Sequence, residues 1–121
     1  MNQDLNTLIF KMLKYANDCM KAGIEPSIEE MRKFANGNDV MFMVAIMQCK
    51  DNELLSGLYI PSYIDASSAT VFGRHTAITL KGHEFLEDNS SMKKVASKIS
   101  QSALSVISVA VQSTIKNSMG L

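Results

Sequence analysis

Ile78-Thr79-Leu80-Lys81-Gly82-His83-Glu84-Phe85-Leu86-Glu87-Asp88-Asn89-Ser90 is the stretch on which the fold turns. Its opening residues are β-branched and apolar, as a short strand requires, and Gly82 can supply the turn that follows. Beyond it, Phe85 and Leu86 are placed to anchor a helix over residues 82–89, while Glu84, Glu87 and Asp88 make an acidic face. Glu84, near the helix start, also suits the positive end of the helix dipole. A strand that runs straight into a helix needs a partner strand upstream.

That partner is predicted at residues 58–64, Leu58-Tyr59-Ile60-Pro61-Ser62-Tyr63-Ile64, where Pro61 requires an edge or a bulge. Residues 54–57 read as a connection into it and the small, polar residues 65–73 as the loop, with the return strand over 77–80. Arg74 beside His75 is the basic pair closest to that loop, either a solvated flank or a contact for phosphate or an acidic partner.

Three helices precede the hairpin. Residues 6–22 carry Leu8, Ile9, Met12, Leu13 and Ala16 at three- and four-residue steps, and Gly23 stops the helix. Ser27 followed by Glu30 is a capping-box signal for a short helix from Ile28 to about Phe34 or Ala35. After the turn Asn36-Gly37-Asn38, Asp39 opens a third helix reaching about Lys50. A short helix, a glycine-containing turn and another helix are helix-turn-helix order. The third helix is poor in the polar and basic residues that read DNA: Val40 to Met47 are all apolar, and its cation, Lys50, stands at the far end. It reads as a buried structural helix or as a partner-binding face. The methionines suit either a core or a soft protein-binding groove.

At residues 78–94 the sequence resembles the signature of the YjcQ-type family of small bacterial and prophage proteins. There a strand of the form ITLKG runs into a helix of the form EYLEEN, then a serine, then MKK. The likeness covers about 17 residues, through Ser90, Ser91, Met92, Lys93 and Lys94. It implies a winged-helix-like fold and a phage or prophage setting in a Gram-positive bacterium, and it assigns no activity. This chain differs from the usual short members in its longer apolar tail.

The tail reads as a helix from Ser91 to about Lys116, on the order of 37 Å long at 1.5 Å per residue. Met92, Val95, Ala96, Ile99, Ala103, Val106, Ile107 and Ala110 mark an apolar association face, with Ser97, Gln101, Ser105, Ser108 and Gln112 opposite. It can fold back over the body, pair with a second copy or partner protein, or rest on a membrane surface, of which the last is not favoured. The fold class is thus α+β: three helices, a hairpin wing and a fourth helix over residues 1–91, winged-helix-like, with a long amphipathic C-terminal helix over 92–121.

The chain is neutral, twelve Lys and Arg against twelve Asp and Glu. The halves differ: residues 1–91 carry eight cations and twelve acids, whereas 92–121 carry Lys93, Lys94, Lys98 and Lys116 and no acid. No global field draws nucleic acid. Cys19 and Cys49, unclustered in predicted helices, read as buried reduced thiols. They and the two histidines, His75 and His83, have no metal-ligand spacing, and no nucleophile–base arrangement or cofactor motif appears. The acid in Met1-Asn2-Gln3-Asp4 is unlike a signal peptide, and residues 99–115, the longest uncharged run, include eight Ser, Gln or Thr. A soluble, cytoplasmic, non-enzymatic protein without cofactor or metal is the expectation, acting through protein contacts and self-associating through its C-terminal helix. The alternative is a winged-helix DNA-binding regulator using Arg32, Lys33, Lys50 and Arg74.

Overall fold

A computed structural model describes residues 4–60, 71–88 and 101–118, with the side chains of the last segment described over 107–116. The architecture is α+β. Among these residues it has five helices, α1 (Leu5–Lys21), α2 (Ile28–Lys33), α3 (Asp39–Asp51), α4 (Leu80–Asp88) and α5 (Gln101–Ser118). One antiparallel pair, β1 (Leu55–Tyr59) and β2 (Phe72–Ile78), completes it.

Helix α1 is the centre. It touches α3, α4, α5 and β2, so Leu8, Ile9, Met12, Leu13, Tyr15, Ala16 and Cys19 are all buried. Asp4 caps it, accepting from the Thr7 amide at 2.7 Å, and the same hydrogen bond holds the Asp4 carboxyl below its usual range. Ser27 caps α2 and Asn38 caps α3, the latter accepting from the Met41 amide at 3.0 Å.

The predicted capping box is half present. Ser27 Oγ accepts from the Glu30 amide at 3.4 Å. The Glu30 carboxylate does not return the bond; it takes Lys33 Nζ at 3.2 Å and the Ser113 hydroxyl of α5 at 3.2 Å. The Ser27 amide donates instead to Tyr15 Oη at 2.8 Å.

The hairpin starts earlier than the sequence suggests. Residues 54–57 are expected as a connection, yet Leu55 already pairs with Ile78 and Ser56 with Ala77. Gly57 lies inside β1 at φ +77, where the register shifts before Leu58 pairs with Gly73. Opposite it β2 accommodates the extra residues of a bulge, and His75 takes φ +54. Phe72 to Arg74, expected in loop or flank, therefore belong to the returning strand, which ends at Ile78 instead of Leu80. The predicted strand residues 61–64 lie outside the described residues.

The strand-to-helix junction is also shifted. Helix α4 begins at Leu80 because Thr79 caps it, its hydroxyl accepting from the Gly82 amide at 3.0 Å. The Thr79 amide donates to Leu54 O at 3.1 Å, tying the junction to the entrance of β1. Gly82 is consequently in the first turn of the helix. A Cβ there would lie 2.5 Å from Leu54 O and 2.6 Å from Ile78 Cγ1, so this glycine permits a close approach and makes no turn.

The C-terminal helix is described over part of its expected length. The described C-terminal helix has 18 residues, Gln101–Ser118, and the expected helical residues 91–100 lie outside the described ones. Of the residues expected on its apolar stripe, those whose side chains are described are covered by the same chain: Ile107, Ala110 and Thr114 are buried against the core that α1 organises. A chain of three hydrogen bonds runs through the contact, with Tyr15–Thr114 the link between α1 and α5. The Ser27 amide donates to Tyr15 Oη, Tyr15 Oη lies 2.6 Å from Thr114 Oγ1, and the Thr114 hydroxyl donates to Ala110 O at 2.8 Å. Since the Thr114 proton is committed to Ala110, Tyr15 is the donor between the two hydroxyls. Burial pushes the Tyr15 phenol up to about 12, which keeps that proton in place.

Candidate protein-contact surface

Helix α3 is apolar nearly all round, so packing chooses which residues go inside. Phe42, Ala45, Ile46 and Cys49 are fully buried, which turns Val40, Val44 and Met47 outward at steps of four and three. They are 61%, 42% and 46% exposed, one apolar stripe along the helix. Asp39 at the N-terminal end and Lys50 at the C-terminal end flank it. The sequence left open whether α3 was core or contact face; one side of the helix is core and the other is exposed apolar surface.

The four cations proposed for nucleic-acid or acidic-partner contact are dispersed over α2, α3 and β2. Arg32 pairs with Asp39 at 3.3 Å and lies 4.8 Å over the Phe42 ring. Lys33 is paired with Glu30 at 3.2 Å. Lys50 is exposed at the end of α3, and Arg74 is exposed in the β2 bulge.

Of the proposed association face, Met92, Val95, Ala96 and Ile99 lie outside the described residues, as do the side chains of Ala103 and Val106. Ile107 and Ala110, 4% and 3% exposed, are covered by the chain itself. The expected boundary at residues 91 and 92 also lies outside the described residues; the helix beyond it shares the core of α1.

Two further features gather polar or sulfur groups. A cleft of about 170 Å³ between α1 and α4 is bordered by Phe10, Lys14, Asn17, Lys21, His83, Leu86 and Glu87. Lys14 is held by Asp18 at 2.8 Å, and Asn17 Oδ1 is buried with no hydrogen-bond donor among the described residues. Cys19 and Cys49 are buried, and loss of solvation pushes their thiols up to about 11 and about 12. A raised pKa depletes the thiolate, the reactive form. At pH 8 an alkylating reagent should therefore modify native protein at less than about a hundredth of the rate seen in urea. Rapid labelling without denaturant would contradict this burial. Among the described residues no three His, Cys, Asp or Glu side chains gather as a metal site, and no helix is long and apolar enough to cross a membrane.

Comparison with protein families matches the model of the YjcQ protein over residues 10–102. The chain belongs to the YjcQ family. Searches of curated proteins and of solved structures return no match. The YjcQ match runs from α1 through α4 and stops just inside α5, so the hydrogen bonds from Ser113 and Thr114 involve residues beyond it. Within the YjcQ range, the Ile78–Gly82 segment has a clear local logic. Ile78 enters the core, Thr79 caps α4, Lys81 pairs with Glu53 at 2.9 Å, and Gly82 lets the backbone of residue 54 approach.

Proposed function

We propose that this YjcQ-family chain is a non-enzymatic, winged-helix-like protein of the phage or prophage type, which acts through protein–protein contacts and self-associates. The element order supports the winged-helix reading, three helices followed by an antiparallel strand pair and a helix. The carrying observation is the outward stripe of α3. Where a DNA-reading helix offers polar and basic groups, this one offers Val40, Val44 and Met47. With Ile107 and Ala110 buried, α3 is the more accessible apolar contact face, and the tail serves as part of the body. Duplex binding is the weaker reading, because Arg32 and Lys33 already neutralise carboxylates and cannot fully answer phosphates.

Sedimentation velocity across micromolar to millimolar concentrations tests the reading. Wild-type protein should show reversible association, and Val44→Asp should weaken it by at least about tenfold with an unchanged circular-dichroism spectrum. A wild-type chain that stays monomeric throughout would defeat self-association. Salt-sensitive binding to a DNA duplex by that monomer would favour the regulator instead.

A further inference from the structure

We infer that α3 pairs with α3 of a second copy, antiparallel about a twofold axis passing near Val44, with the Asp39 and Lys50 ends of the two helices set against each other. This rests on the self-association reading and adds the partner's orientation and register. The stripe itself, Val40, Val44 and Met47, is nearly symmetric about its middle residue. An antiparallel pairing lays Val44 on the second copy's Val44, and Val40 against its Met47. A closed twofold interface demands such self-complementarity.

Charge selects the antiparallel arrangement. Asp39 and Lys50 are eleven positions apart, which at 3.6 residues per turn puts them on the same flank of the stripe. In a twofold antiparallel pair, residues on one flank face that same flank of the other helix, so each Asp39 meets the second copy's Lys50. Two opposite-charge pairs form per dimer. In a twofold parallel pair this flank of one helix lies on the opposite side of the interface from its copy, so neither opposite-charge pair forms. Lys50 makes no ion pair with the described residues and is available; Asp39 is steadied by Arg32 at 3.3 Å and becomes shared between two cations. Asp51, at the end of the stripe, comes over the second copy's Asn38, at the start of its α3, where the helix dipole favours a carboxylate. A single helix of 13 residues is a small interface, so the dimer is weak, with dissociation on the order of 10–100 µM.

A charge-swap mixture decides it, read by sedimentation equilibrium at low salt on full-length chains. Asp39→Lys alone and Lys50→Glu alone should each associate roughly tenfold more weakly than wild type, because each homodimer then sets like charges together. Mixed in equal amounts, they should form a heterodimer of about wild-type affinity, since both of its flank pairs are again opposite. Raising the salt should weaken wild type and strengthen Lys50→Glu. The salt reversal does not depend on the Asp39 variant, which loses Arg32 as a partner and is checked by its melting curve. If the variants associate no better together than apart and Lys50→Glu shows no reversal, the antiparallel register is wrong. Loss of association in Val44→Asp would in that case still uphold α3 as the contact face. A wild-type chain that does not associate at all would overturn both.

Discussion

Gly57→Ala should unfold the chain at markedly lower urea, with a loss on the order of 4 kcal/mol. Two costs combine. The residue sits at φ +77, where any L side chain is strained by roughly 1 kcal/mol. The larger cost is steric: a Cβ there would lie 2.3 Å from Arg74 O and 2.8 Å from His75 O, both backbone atoms of the facing strand. Backbone in a ladder cannot swing aside as the end of a side chain can, so β1 and β2 must separate locally. Gly37→Ala is the control, because φ is +86 but nothing lies within 4 Å of the added carbon. That variant should lose only the strain, about 1 kcal/mol. Equal effects at the two glycines would show that the bulge is not packed as described.

Gly57 also marks where the sequence stopped being readable. A glycine between short apolar runs signals a break, and only the facing backbone of Arg74 and His75 shows it to be a bulge inside a strand. Gly82 misled in the same way, since the capping role of Thr79 depends on a strand end that was itself misplaced. Local signals fared better. Ser27 caps α2 as expected, α3 opens at Asp39 as expected, and Gly23 follows α1 as a stop, because capping needs only neighbours within one turn. Helix α3 lay beyond reach for another reason. Its apolar residues surround the helix, so no periodicity says that Phe42 and Ile46 go inward while Val44 faces water.

The stripe on α3 and the stripe on α5 are alike in sequence and opposite in fate, and the difference lies in polar chemistry. Thr114 and Ser113 meet Tyr15 and Glu30, so the buried face of α5 satisfies its hydroxyls as it docks. The outward face of α3 presents Val40, Val44 and Met47, and among the described residues the exposed Gln48 beside them bonds only to Asn52 at the end of the same helix, so no polar contact docks this face on the body. An apolar stripe in a sequence thus does not by itself say what covers it. The polar residues beside it decide whether the cover is the same chain.

Ile107→Asp is the substitution that tests this docking most severely. Ile107 is 4% exposed in the core cluster, so the variant removes a buried aliphatic side chain and inserts a carboxylate without a partner. Lost burial contributes about 2 kcal/mol and desolvation of the charge at least as much, for a total near 4 kcal/mol at neutral pH. Part of this should return on acidification, because a carboxyl forced into the core has a raised pKa: the penalty is full above the folded pKa and shrinks as pH falls through it toward the unfolded value near 4. Val109→Asp, two residues away on the face that is 67% exposed, should change stability by less than about 0.5 kcal/mol. A tail that stood free of the body would make the two variants equivalent. To locate the effect, Tyr15→Phe and Thr114→Val can be combined in a monomeric Val44→Asp background, where their coupling should be about 1 kcal/mol and independent of dilution. Coupling that vanished in the monomer would mean that Thr114 of one copy reaches Tyr15 of another, and α5 would become the joint between molecules.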